Sequence, residues 1–250
     1  MGGADGSDNQ RASPREPGPA GPPGVAGSVC PVTDLVRHVR DGSVSVITMD
    51  DGKANAFNDV LVDQLNTALD ESAGCRALVL AGRSGVFSGG FDLGVVAPGG
   101  PAAEALVARG GELLVRLHTS PVPVVAACTG HAIALGAVVL MAADYRVAAD
   151  GQVGIGLNEV AIGMPLPALA VALAEQRLNA ARRTEAVLLA RVWTPAEAVE
   201  VGFVDEVVPA EEVLDRAVSH ARELGGKLQP DAFAATSAAL RSGVLSALEA

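Results

Sequence analysis

Residues 151–167 read GQVGIGLNEVAIGMPLP, and Glu159 is the only charged side chain among them. A carboxylate surrounded by glycine, proline and aliphatic groups must be solvated, paired or protonated, because burying an unpaired charge is costly. Held in an apolar setting it becomes a stronger base than usual and suits the movement of one proton. Two glycine-bearing turns, GRSGVFSGGFDL at 82–93 and TGHAIALGA at 129–137, each follow an apolar run. Glycines there let the backbone bend sharply and bring its N–H groups close to a ligand. Two such amides can form an oxyanion hole, in which the loss of one donor costs roughly 3 kcal/mol of transition-state stabilisation. On residue types alone, these are also two ordinary loops and a solvated glutamate.

Other chemistries lack their signatures. The chain has no GxGxxG after a strand, no P-loop, no HExxH and no GxSxG. His38, His118, His131 and His220 are scattered, which reads as surface or packing histidines and no metal site. Cys30, Cys75 and Cys128 lie far apart without a CxxC, so neither a disulfide framework nor a zinc knuckle is expected, and the protein reads as intracellular. Eighteen basic against 29 acidic residues, a net charge of −11, argue against a nucleic-acid partner. Residues 1–31 are expected to form a disordered Gly/Pro-rich tail with no signal-peptide core. The longest uncharged runs, 132–143 and 160–174, are too short to span a bilayer, so no membrane partner is expected.

The rest of the 250 residues must position these groups. VRHVRDGSVSVITM predicts two strands joined at Asp41-Gly42. Leu61, Leu65, Ala68 and Leu69 keep helical spacing after a candidate N-cap, Asn58. RALVLAG (76–82) and VPVVAACTG (122–130) read as buried parallel strands, with a helix over 101–118 between them. LGAVVLMAAD reads as a buried helix leading into the strand YRVAAD, where Tyr145, like Trp193 further on, reads as a packing aromatic. Residues 32–165 thus predict repeated β-then-α units around a mainly parallel sheet, without a fixed-length repeat. Thr194-Pro195-Ala196-Glu197 is a capping box. A further helix carries Val213, Ala217 and Ala221 on one face, with Glu211 and Glu212 in its first turn. The last helix, over about 231–248, has a weak apolar stripe.

GKANAFN (52–58), VFSGGFDL (86–93), the segment from Gly130 to Asp144, IGLNEVAIGMP (155–165) and TPAEAVEVGFVDEVVP (194–209) follow the order of the crotonase superfamily's motifs, and the chain from about 33 onward resembles that superfamily. The resemblance to enoyl-CoA hydratases and isomerases implies an α/β crotonase fold. A spiral core of ββα units over 32–190 would be followed by a helical region over 191–250 that builds a homotrimer or a hexamer of paired trimers. It implies an acyl-CoA substrate, no cofactor beyond the substrate's own coenzyme A, and a cytoplasmic enzyme of fatty-acid-type degradation. The oxyanion amides fall on Gly89 and, five residues after Gly130, on Leu135. Lys53, Ala54, Gly89, Gly90, Phe91 and Asp92 fall on the segments that line the substrate, with Lys53 a candidate phosphate contact. Asp92 would order its turn and cap the next helix, and Asp144 would anchor a helix-to-strand junction.

Hydratases of this superfamily place a second glutamate where Val138 stands here, and Glu159 matches the other. Syn addition of water suits two carboxylates, whereas moving a double bond from C3 to C2 needs one base that takes a proton from the α-carbon and returns it at C4. A single Glu159 therefore points to enoyl-CoA isomerisation. Hydration of 2-enoyl-CoA is the alternative, and a catalytically silent acyl-CoA binder is the reading from another class. Thioester hydrolysis or decarboxylation ranks last, since these motifs offer no Ser-His pair.

Overall fold

The computed structural model describes residues 34–246, so the expected 1–31 tail and Cys30 lie outside the described residues. The strands β1 (Val36–Asp41) and β2 (Val44–Met49) form an antiparallel hairpin that turns through Gly42 at φ +62°. The helix α1 (Asp59–Glu71) starts at Asn58, whose side chain accepts from the Leu61 N–H. Three rounds of one pattern follow. The strands β3 (Ala77–Ala81) and β4 (Gly85–Ser88) lead into α2 (Leu93–Val96) and α3 (Pro101–His118). Next, β5 (Val124–Cys128) and β6 (Gly130–Ile133) lead into α4 (Leu135–Ala142). Then β7 (Tyr145–Ala149) and β8 (Ile155–Gly156) lead through a 3-10 turn (Val160–Ile162) into α5 (Ala168–Arg177). The chain continues through α6 (Arg183–Val187), α7 (Pro195–Val201), β9 (Glu206–Val208), α8 (Val213–Lys227) and α9 (Pro230–Ser246).

Each round gives its first strand to a six-stranded sheet, ordered β1-β2-β3-β5-β7-β9, and its second to a three-stranded sheet, β4-β6-β8. Every pairing except β1 with β2 is parallel. This is the expected ββα spiral. Its rounds differ in length, which is why the repeat is structural and leaves no fixed period in the sequence.

All residues of β3 and β5 are buried, because both faces of the large sheet are covered. Leu78, Leu80, Val124 and Ala126 face the main core, while Ala77, Val79, Val125 and Ala127 face Val213, Ala217 and Ala221 of α8. The expected helical region over 191–250 is thus not wholly helical: its β9 extends the large sheet and its α8 closes that sheet's second face. Glu211 and Glu212 form a 3-10 turn just before α8, and Asp215 occupies the first helical turn instead. The Thr194 capping box is present as expected.

In α9 the buried stripe is Ser237, Arg241 and Val244, which explains its weak apolar signal. Arg241 bonds the Asp144 carboxylate and the His118 carbonyl, and the other Asp144 oxygen accepts from the Val124 N–H at 2.9 Å. Asp144 thus anchors the junction of α4 and β7 as expected, through a helix far away in sequence. Removing one partner of a buried ion pair leaves an uncompensated charge, so Arg241→Met is expected to lower stability by about 3 kcal/mol. Denaturant unfolding measures this; a loss below about 1 kcal/mol, the range of exposed pairs, would show that the Arg241–Asp144 pair does not hold this junction.

Candidate active site

The site forms where the β4–α2 turn, the β6–α4 turn and the segment after β8 meet. A buried relay of hydrogen bonds shapes the first turn. Asn55, fully buried at φ +48°, donates from Nδ2 to the carbonyls of Met49 and Phe87, both at 3.1 Å. The Ser88 hydroxyl donates to the Asn55 carbonyl at 2.8 Å and accepts from the Gly90 N–H at 3.1 Å. Gly90 then takes φ +94°, and a Cβ there would lie 2.9 Å from the Ala134 Cβ, 3.2 Å from the Ile133 carbonyl oxygen and 3.3 Å from the Leu135 nitrogen. Only glycine lets the two turns come this close.

Beyond Gly90, the Phe57 N–H donates to the Gly90 carbonyl and the Asp92 N–H to the Phe57 carbonyl, a parallel bridge centred on Phe91. In such a bridge the central residue's own N–H points away from its neighbour strand. The Phe91 N–H accordingly donates to no protein acceptor among the described residues. Leu135 opens α4, and its N–H lacks a helical acceptor, as first-turn amides do. The Gly89 N–H differs: it donates to the Ala54 carbonyl at 2.8 Å. Gly89 as an oxyanion donor is therefore corrected, because its hydrogen is spent inside the protein and Gly89 is not on the cavity wall. The free amides are those of Phe91, two residues on, and Leu135.

Phe91 and Leu135 line a cavity of about 400 Å3, together with Val138, Glu159 and residues of α3, α5 and the Met164–Pro167 segment. Glu159 is 9% exposed, and its Oε2 has no hydrogen-bond partner among the described residues. Burial pushes its carboxyl above the ordinary value, while the amides of Glu159 and Asn158 hold it back in part. Val138, 2% exposed, puts an aliphatic wall where a second carboxylate would stand. The cavity thus brings together one desolvated base and two residues whose amides have no acceptor among the described residues, a set that suits proton abstraction beside a carbonyl whose oxygen becomes anionic.

Of the expected substrate-lining residues, Phe91 is on the cavity wall, and Lys53, Ala54, Gly90 and Asp92 are not among the residues that line it. Asp92 accepts from the Gly94 N–H and caps α2 as predicted. Lys53 and Ala54 are exposed on a turn tied by Asp51, which accepts from the N–H groups of Lys53, Asn55 and Ala56. Asn55 and Ser88, not singled out from the sequence, hold that turn against β4. The asparagine after GKA was their only visible signal. His38, His118, His131 and His220 lie apart, and among the described residues no group of three or more His, Cys, Asp or Glu could hold a metal ion. Trp193 is buried under the Arg191 guanidinium, and Tyr145 stacks on His220, so both pack as expected. No helix of the described residues is long and apolar enough to cross a membrane.

Comparison with known proteins gives a consistent result. The sequence pattern of the enoyl-CoA hydratase/isomerase family matches residues 39–250. The human mitochondrial enoyl-CoA delta isomerase 1 is 34% identical over 206 residues, covering 76% of this chain and 68% of that protein. A probable enoyl-CoA hydratase of Mycobacterium avium is 28% identical over 73% of this chain and 72% of its own length. Two structures of one Mycobacterium tuberculosis protein superpose with TM-scores of 0.82 and 0.83 at 41% and 42% identity. They cover 86% of this chain and 95% and 92% of theirs, and one is described as an enoyl-CoA isomerase, the other as a probable hydratase.

The raised carboxyl of Glu159 sets a pH signature. Below the ordinary glutamate value of 4.5 it is protonated in both folded and unfolded chains and costs nothing. As pH rises towards the raised value, the unfolded chain loses this proton first, so stability falls through that window and the full cost is present at neutral pH. Glu159→Gln is therefore expected to melt higher than the wild type at neutral pH, with the difference vanishing below the ordinary glutamate value. Equal melting temperatures at neutral pH would show that the carboxylate is adequately solvated.

Proposed function

The chain belongs to the enoyl-CoA hydratase/isomerase family, and on that premise we propose that it moves the double bond of an enoyl-CoA thioester from C3 to C2, with Glu159 as the sole proton carrier. The observation that supports this reading is the buried Glu159, whose Oε2 has no hydrogen-bond partner among the described residues, on the wall of a cavity where Val138 stands and no second acid of the described residues does.

The thioester carbonyl oxygen lies between the Phe91 and Leu135 amides. Glu159 removes a proton from C2, and the electron pair spreads through the carbonyl and the double bond as a dienolate, whose oxygen carries the charge. The two amides stabilise that charge more than they stabilise the neutral ground-state carbonyl, so they lower the barrier. The protonated Glu159 then delivers the same proton to C4, and the double bond settles between C2 and C3. One carboxyl serves both steps because it acts in turn as base and acid, and its raised pKa brings the two roles closer in energy. Phe91, Leu135, Val138 and Leu166 keep the wall apolar, which limits the access of water that would otherwise add to the product.

The exposed Lys53 side chain, beside the turn that Ala54 and Gly89 stitch together, is the proposed contact for a coenzyme A phosphate. Exposed Val160, Ile162, Leu188 and Leu189 support an assembly of several subunits, proposed here as a trimer or a pair of trimers. The absence of a second carboxylate among the described residues that line the cavity disfavours hydration. We place the enzyme in the cytoplasm.

Matched 3-enoyl-CoA and 2-enoyl-CoA, each followed by mass-resolved product analysis, test the reaction. Isomerisation predicts a product of unchanged mass from the 3-enoyl substrate and no water gain from the 2-enoyl substrate. A gain of one water as the main product would establish a hydratase, and binding without turnover a silent acyl-CoA protein. Glu159→Gln is expected to lower kcat by roughly a hundredfold or more, the usual contribution of a positioned base. A variant that kept full activity would remove Glu159 from the reaction.

A further inference from the structure

Two adjacent glycines, Gly110 and Gly111, sit in the middle of the 18-residue helix α3, where each weakens the helix relative to alanine. Gly110 has a packing reason. A Cβ there would meet the Phe91 ring at 2.6 Å, so the missing side chain is the seat of that ring. Gly111 has none: a Cβ would meet nothing within 4 Å. Its backbone is not held at positive φ either, so no turn demands glycine. What Gly111 does is line the cavity that holds Glu159, on the same helix face as Val107 and Leu114.

We propose that Gly111 is a specificity-determining position, left without a side chain so that the acyl group of the substrate can run along α3, and that the enzyme accepts medium- and long-chain acyl groups. This rests on the assignment of the cavity as the acyl-CoA site. Its size supports the chain length. A water's share of liquid volume is about 30 Å3 and a methylene group is of similar size, so the cavity has room for on the order of ten such groups. A four-carbon acyl group with its thioester would leave part of it empty. The walls are aliphatic on α3, at Leu166 and at Leu169, and Glu159 is the only charged group among the described residues that line the cavity, so an alkyl tail meets hydrocarbon along its length.

Binding of saturated acyl-CoA separates this proposal from the reaction assigned above, because it needs no turnover. Titration calorimetry with hexanoyl-CoA and dodecanoyl-CoA is expected to show tighter dodecanoyl binding to the wild type. Gly111→Leu fills the tail path and is expected to weaken dodecanoyl-CoA by roughly tenfold or more, the scale of one misfitted group in an apolar pocket, while changing hexanoyl-CoA by less than about threefold. Gly111→Ala is the milder variant: a raised melting temperature with a smaller loss in the same direction. Equal losses for both ligands, unchanged dodecanoyl binding in Gly111→Leu, or a wild type that does not prefer the longer chain would each overturn the proposal. A wild type that prefers dodecanoyl-CoA but turns over no enoyl-CoA would leave it standing and overturn the isomerase reading alone.

Discussion

The approach of Gly90 to Ile133, Ala134 and Leu135 is the constraint on which the site depends. Two turns from different sheet rounds meet with no room for a methyl group between them. That contact places the start of α4 beside the chain leaving β4, and it leaves the Phe91 and Leu135 amides as donors without acceptors. A helix start and a bridged strand end each strand one N–H for local reasons. Bringing Phe91 and Leu135 to one cavity requires the spiral, because β4 and β6 must lie side by side before their turns can touch.

The apolar cavity then determines what those amides can serve. Glu159 is placed by the short strand β8, which pairs with β6, and by the 3-10 turn that follows it. The third round of the spiral therefore brings a base to the amides of the first two. Its neighbours are hydrocarbon, so the carboxylate is poorly solvated and correspondingly basic. Substituting any one element of this arrangement would alter the others, since the same glycines and aliphatic groups fix the backbone and exclude water.

Much of this was legible from residue types and order. Strand and helix positions followed from apolar runs, Asn58 and Thr194 announced their helix starts, and Glu159 stood out as a lone charge. Three features were not legible, each for a physical reason. The oxyanion donor fell two residues from Gly89 because hydrogen-bond ownership depends on the register of the Phe57–Phe91 bridge, which no local pattern encodes. The role of α8 and β9 in closing the large sheet was hidden because small alanines at 217 and 221 signal an amphipathic helix without saying what covers it. The buried stripe of α9 carries Arg241, whose partner Asp144 is distant in sequence.

The central claim is that one desolvated carboxylate carries the proton in both directions. The pH dependence of kcat/KM for the double-bond shift reports the ionisation of the free enzyme's essential group. A single acidic limb is expected, centred above the ordinary glutamate value of 4.5 because burial raises the carboxyl of Glu159. An unshifted limb, or a bell-shaped profile with a second essential group, would contradict it.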